Sequence, residues 1–376
     1  MENKKQNTKS IKKQATKKEI RLGYALPDTK TKSIKKTTTK KEAQLGYGLP
    51  ETIWRRCRYN HYGNWILDMA EDKWCSLSIE DQQKYAKVYQ ENYAKIKDLP
   101  VKKNLYLKGI EIEMILVPPA RFYMGSGQKE IDSVKHRDNA VYFDTEIKHR
   151  TIISQAYYLG KYPITKIQWK ALMGNRIQEY FKNSPLFTPM ENISWDDCQT
   201  FCRRAGLTLP SEAQWEHACR AGVYGMGYKG DFEIKGWNNA PGLDSIAWYA
   251  GNSSVEYEDA YDTSGWAEKQ YEYSKAGPQP VGKKEPNAFG LYDMLGNVWE
   301  WCMDSCDWES KAITENYKDD VVDPESQKGI RRILRGGAWC YNARYCRCAT
   351  RFSYSPFFRV LNVGFRVLLS IPNSKG

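Results

Sequence analysis

Four segments near the C-terminus constrain this chain more than anything else in it. They are Asn287-Ala-Phe-Gly-Leu-Tyr-Asp-Met-Leu-Gly-Asn-Val-Trp-Glu-Trp301, Arg335-Gly-Gly-Ala-Trp339, Arg347-Cys-Ala-Thr-Arg351 and Gly364-Phe-Arg-Val367. Gly336 and Gly337 allow positive φ or a close backbone approach. Arg335, Arg347, Arg351 and Arg366 carry planar forks suited to paired bonds with a carboxylate, and Glu300 and Asp304 are the expected partners. Trp299, Trp301 and Trp339 are expected in the core. Aromatic residues make up 13% of the chain. Such side chains bury large areas and suit a fold in which loops outweigh regular elements.

The charge is uneven. Residues 1–52 hold 14 Lys/Arg against five Asp/Glu, which is +9 of the chain's +12. The basic character therefore belongs to a tail, read as solvated and disordered. Only Tyr24 and Tyr47 precede Trp54, so the tail has no stacking platform for bases, and specific nucleic-acid binding is not expected. The tail contains a repeat of period 23. Thr8-Lys-Ser-Ile-Lys-Lys13 returns as Thr31-Lys-Ser-Ile-Lys-Lys36, and Leu22-Gly-Tyr-Ala-Leu-Pro27 as Leu45-Gly-Tyr-Gly-Leu-Pro50. Two polar copies are too few to stack as a solenoid. They read either as a docking motif used twice, which would gain avidity, or as duplicated linker. There is no apolar leader after Met1 and no stretch of membrane-spanning length. The default compartment is the cytoplasm, with leaderless export left open, and most of the ten Cys are expected as reduced thiols. The four His are isolated, and neither Cys302/Cys306 nor Cys346/Cys348 has zinc spacing.

Residues 53–104 read as a small helical segment. Ser78 and Asp81 suggest a capping box, and Tyr85, Val88, Tyr89, Tyr93 and Ile96 recur at helical spacing as a packing face. The main domain spans 105–370. Glu113–Ser126 reads as strand, turn, strand around Pro118-Pro119, and Ile152–Tyr158 as a further strand. Helices follow Thr165, Ser194 (ending at Gly206) and Ser211. Short strands and helices embedded in much loop describe an α+β domain.

These segments, in this order over roughly 112–368, resemble the formylglycine-generating enzyme (sulfatase-modifying factor) family, above all Leu209-Pro-Ser-Glu-Ala-Gln-Trp-Glu216 and Gly296-Asn-Val-Trp-Glu-Trp301. The resemblance implies a loop-rich fold related to the C-type lectins, with Arg335–Trp339 and Gly364–Val367 framing a surface cleft. It also implies several chemistries. In the copper oxidase of the family, two cysteines bind copper(I) as thiolates, soft ligands for a soft ion, and a substrate cysteine becomes formylglycine. Cys340 and Cys346 lie in that segment. Five residues separate them where the enzyme has four, and Ala338 stands where it has a serine. Iron-dependent relatives need a His and carboxylate set that the isolated His residues do not form. Calcium is allowed near Gly296–Glu300, with Asn297 and Glu300 as ligands.

The third reading resembles the variable proteins of diversity-generating retroelements, which use the same fold. The positions outside the family frame between Cys340 and Asn362 all hold residues reachable from an Asn codon by changing its first two bases. Lys, Glu, Gln, Met and Trp, which are not reachable, do not occur between Cys340 and Ser370. The expected function is therefore non-catalytic recognition of a protein or other macromolecular ligand, with no cofactor required. The exposed contact set is expected to be Tyr341, Asn342, Tyr345, Phe352, Tyr354, Phe357 and Phe358.

Overall fold

The computed structural model describes residues 46–54, 58–59, 65–135, 145–175, 177–307 and 316–372. The first tail copy and most of the basic run lie outside the described residues. Short strands and capped helices surround one large hydrophobic core, in the mixed helix-and-sheet arrangement expected.

The helices follow the cap chemistry. Thr165, Ser194 and Ser211 each accept a hydrogen bond from the backbone N–H three residues on, and the residue there bonds back, completing three capping boxes. Gly206 ends the helix Trp195–Ala205 in the left-handed region, at φ 68°. Ser78 caps the helix Ile79–Lys97. Tyr89 and Tyr93 on its stripe are buried, while Tyr85, Val88 and Ile96 are half-buried against the core. Polar bonds fix the helix to the body: the Tyr89 hydroxyl donates to the Pro119 carbonyl at 2.8 Å, and Gln90 Nε2 to the Leu116 carbonyl at 2.7 Å.

Three sheets carry the body. One has five strands in the order Arg58–Tyr59, Trp65–Asp68, Ala120–Met124, His149–Ile153, Val321–Val322. The second runs Leu368–Ser370, Tyr157–Gly160, Ile110–Val117, Lys102–Leu107, all antiparallel. The third runs Arg351–Tyr354, Arg331–Arg335, Trp299–Cys306, Val363–Gly364. Two strand expectations change. Pro118-Pro119 does not close a hairpin: Ile110–Val117 and Ala120–Met124 enter different sheets. Proline has no N–H for a ladder, so the pair marks a switch between sheets. Ile152–Tyr158 likewise divides into two strands, one in each sheet. The segment 53–104 is also more than helical, because its strand Trp65–Asp68 pairs with Ala120–Met124. Residues 46–50, expected in the tail, pack against the helix Ile79–Lys97.

Four buried arginines join distant segments. Arg366 grips Glu300 through two bonds of 2.7 Å and donates to the carbonyls of Gly160 and Tyr292. Arg351 grips Glu212 at 2.8 and 2.7 Å. Arg335 pairs with Glu216 and donates to the Ala349 carbonyl at 2.7 Å. Arg347 grips Glu146 at 2.8 and 2.7 Å and reaches Glu130 at 2.6 Å. Glu300 is a partner as expected, but Asp304 is not. Its carboxylate accepts the backbone N–H groups of Glu212 and Ser326 instead. Glu212 and Glu216 supply the missing partners because residues four apart share one face of the helix Glu212–Arg220.

His217, on the same helix, is fully buried between Phe122 and Phe289, at ring distances of 5.1 and 5.9 Å. Neither ring nitrogen has a hydrogen-bond partner among the described residues. Burial holds its pKa down to about 3, from an ordinary 6.5. Above about pH 6.5 neither the native nor the unfolded chain holds this proton. Between 6.5 and 3 the unfolded chain is protonated and the native chain is not, so stability falls as pH drops through that window. Urea midpoints at pH 7 and 4.5 should show the wild type losing on the order of 2–3 kcal/mol relative to His217→Leu between the two conditions.

Candidate recognition face and cysteine segment

The strand Arg351–Tyr354 lies at the edge of the third sheet. Successive side chains of a strand point to opposite faces. Arg351 and Ser353 are buried, whereas Phe352 and Tyr354 are half-buried on the other side. There they join a row of rings. Buried Trp299 meets Tyr341 edge-on at 5.3 Å and Phe352 at 5.9 Å. Tyr341 meets Tyr345 at 5.4 Å, Phe352 meets Tyr354 at 5.0 Å, and Tyr354 meets Phe358 at 6.0 Å. Three of these pairs meet edge to face and two are tilted, all at centroid separations favourable for aromatic pairs. The row ends in solvent, with Phe357 72% and Phe358 53% exposed.

The expected contact set is thus graded from inside to outside. Phe357 and Phe358 are exposed, while Tyr341, Asn342, Tyr345, Phe352 and Tyr354 are only half-buried. Thr350, Ser353 and Asn362, which the family frame leaves open, are buried. The segment therefore does not point outward throughout. Its rings reach the core through Trp299 because a loop of aromatics gains more by packing than by hydration. Residues outside the segment also contribute, by pairing with arginines of the segment or standing beside it. The Arg344 guanidinium lies 4.3 Å from the Trp237 ring and 5.4 Å from Tyr345, and Trp237 is 37% exposed. Arg332 stacks 3.9 Å over Trp195, and Arg359 pairs with Asp197 at 2.9 Å. Sequence alone offered no signal for Trp237, which lies about a hundred residues upstream.

The cysteines point elsewhere. Cys340 is half-buried, and its sulfur accepts a 3.0 Å bond from the Asn362 side-chain amide. Cys346 is buried beneath Gly337, where an added Cβ would stand 2.7 Å from its sulfur at a φ of 79°. Burial pushes the Cys340 thiol up to about 12 and raises Cys346 as well. Cys348 faces Cys219 across 3.6 Å in the core. Nearby, the indole nitrogens of Trp299 and Trp339 and the Asn362 side-chain oxygen are buried without hydrogen-bond partners.

The side chains expected to hold calcium have partners within the protein. Both Glu300 oxygens accept from Arg366, and one also accepts from the Trp215 indole at 2.6 Å. The Asn297 oxygen accepts the Gln279 N–H at 3.0 Å. Among the described residues no group of three or more His, Cys, Asp or Glu is arranged to hold a metal.

Comparison with known proteins follows the same lines. The family described as the sulfatase-modifying factor enzyme 1-like domain matches residues 108–371. The formylglycine-generating enzyme of Streptomyces coelicolor is 34% identical over 185 residues, covering 47% of this chain and 51% of that protein. The inactive C-alpha-formylglycine-generating enzyme 2 of Mus musculus is 28% identical over 221 residues, covering 57% of this chain and 58% of that protein. The chain spans about half the length of the curated relatives it matches. Among solved structures, Treponema denticola variable protein 1 shares the fold, with a TM-score of 0.52 at 23% identity, over 72% of this chain and 99% of that one.

A thiol with a pKa of about 12 is ionised to roughly one part in ten thousand at pH 8. Iodoacetamide at pH 8 should therefore leave Cys340 unmodified in the native chain and alkylate it rapidly in urea, as read by peptide mass spectrometry.

Proposed function

Because the chain belongs to the sulfatase-modifying factor enzyme 1-like domain family, we propose that it uses this scaffold for recognition without catalysis. It binds a protein or other macromolecular ligand through the face formed by Tyr341, Asn342, Tyr345, Phe352, Tyr354, Phe357 and Phe358. The observation that carries this reading is the row of rings running from Trp299 to the exposed Phe358, with Phe357, next in the chain, exposed as well. Rigid aromatic area presented at low entropic cost is what a contact surface needs, and large exposed apolar groups in one place mark interaction sites. Trp237 and the Arg344 stack extend the face. The family includes a relative named as inactive, so the scaffold persists without its chemistry. The residue types at the open positions of Cys340–Asn362, all reachable from an Asn codon, fit a segment diversified in the gene. A nearby near-repeat of the 3′ end that differs only at adenines, beside a reverse transcriptase gene, is the genomic mark of that class. No helix among the described residues is long and apolar enough to cross a membrane.

Replacing both Phe357 and Phe358 with alanine should abolish retention of the partner held by immobilised wild-type chain. The melting temperature should move by about 2 °C or less, as expected for exposed positions. A large loss of stability would identify these rings as core and end the recognition reading.

A second reading is oxidase chemistry at Cys340 and Cys346, converting a substrate cysteine to formylglycine with copper. Relatives bearing the name formylglycine-generating enzyme favour it. Two thiols suit copper(I), but Ala338 offers no hydroxyl. A cysteine-containing peptide incubated in air with copper-treated chain should yield no aldehyde by hydrazide capture. Aldehyde that disappears in Cys340→Ser would establish the oxidase instead.

A further inference from the structure

The duplicated tail motif has a visible receptor. Its second copy sits on the outer side of the helix Ile79–Lys97. Leu49 is 9% exposed and joins the hydrophobic core, and the Tyr47 carbonyl accepts from Asn92 Nδ2 at 2.7 Å. Gly48 turns at φ 79°, and an added Cβ there would meet Val88 Cγ1 at 3.3 Å. The Tyr47 ring is 80% exposed and is not an anchor. Directly afterwards the helix Glu51–Trp54 buries Ile53. The slot thus reads a leucine, one backbone carbonyl and a tight glycine turn.

The first copy repeats these features, with Leu26 at the position of Leu49 and Tyr24 at that of Tyr47. The match continues on both sides: Thr16-Lys-Lys-Glu19 parallels Thr39-Lys-Lys-Glu42, and Asp28-Thr-Lys30 parallels Glu51-Thr-Ile53. Two differences matter. Ala25 replaces Gly48 at a left-handed turn, which weakens the fit about fivefold. Lys30 replaces the buried Ile53. One slot therefore has a strong resident and a weaker second ligand. The resident is also tethered next to the slot, which raises its effective concentration.

We infer that residues 22–27 are a ligand for this same slot on a second copy of the chain, exchanging with that copy's own segment and joining molecules where copies are crowded. The weaker fit keeps dilute chains monomeric, and ejecting the resident exposes the joint.

The test uses full-length chain in sedimentation. Leu49→Asp should associate increasingly with concentration. Adding Leu26→Asp should return it to monomer, and adding Ala25→Gly should tighten association about fivefold. Circular dichroism melting establishes that Leu49→Asp is folded. The milder swap Gly48→Ala with Ala25→Gly, which inverts the preference while leaving every leucine in place, should also associate more than wild type. Two outcomes overturn the inference: monomers at all concentrations in both variants, or association indifferent to Leu26→Asp. A third is a labelled peptide of residues 16–29 that binds Leu49→Asp while that chain stays monomeric. The spare copy would then serve its own molecule.

Discussion

Everything in this molecule hangs on guanidinium groups taken out of water. A body made largely of loops has few ladders to satisfy its backbone carbonyls, and arginine offers five donors from one rigid plane. Arg335 collects carbonyls at Cys348, Ala349 and Thr350 while it holds Glu216 on a helix more than a hundred residues earlier. Arg366 does the same for Gly160, Tyr292 and Asp293 while it holds Glu300. An ion pair of this kind adds little over a well-packed apolar substitute. Removing one partner strands a buried charge at roughly 3–5 kcal/mol. The four pairs therefore act less as a source of stability than as a specification of which loops meet.

That specification explains what could be read in advance. The caps at Thr165, Ser194 and Ser211 were legible because capping is local: a hydroxyl, a three-residue interval and a returning side chain. The arginines were legible as staples, and Glu300 as one of their carboxylates. Glu212, Glu216 and Glu146 were not, because nothing short-range says which acidic residue a distant loop will bring across. Asp304 looked equally suitable, yet it serves backbone N–H groups at a helix start. The sheet switch at Pro118-Pro119 was misread for a similar reason. A proline pair between two apolar runs looks like a hairpin turn until each strand's pairing partner is known.

The candidate face was partly legible as well. Composition identified the aromatic segment, but depth did not follow from it. Phe357 and Phe358 stand in solvent, whereas Tyr341 and Phe352 lean on Trp299. Burial of this graded kind depends on which neighbouring loop covers a ring, and Trp237, from outside the segment, meets it through Arg344, which also lies over Tyr345. The cysteines follow the same division. Cys346 and Cys348 belong to the inner side, and Cys340 lies at its margin.

The alternation along Arg351–Tyr354 sets a rule for how this segment can change over time. Exchanging Phe352 or Tyr354 for another residue leaves the inward side chains where they were. Inserting or deleting a single residue would rotate the strand by half a period and carry Arg351 away from Glu212. Within these four residues a substitution at an outward position is therefore tolerated far more readily than a change of length.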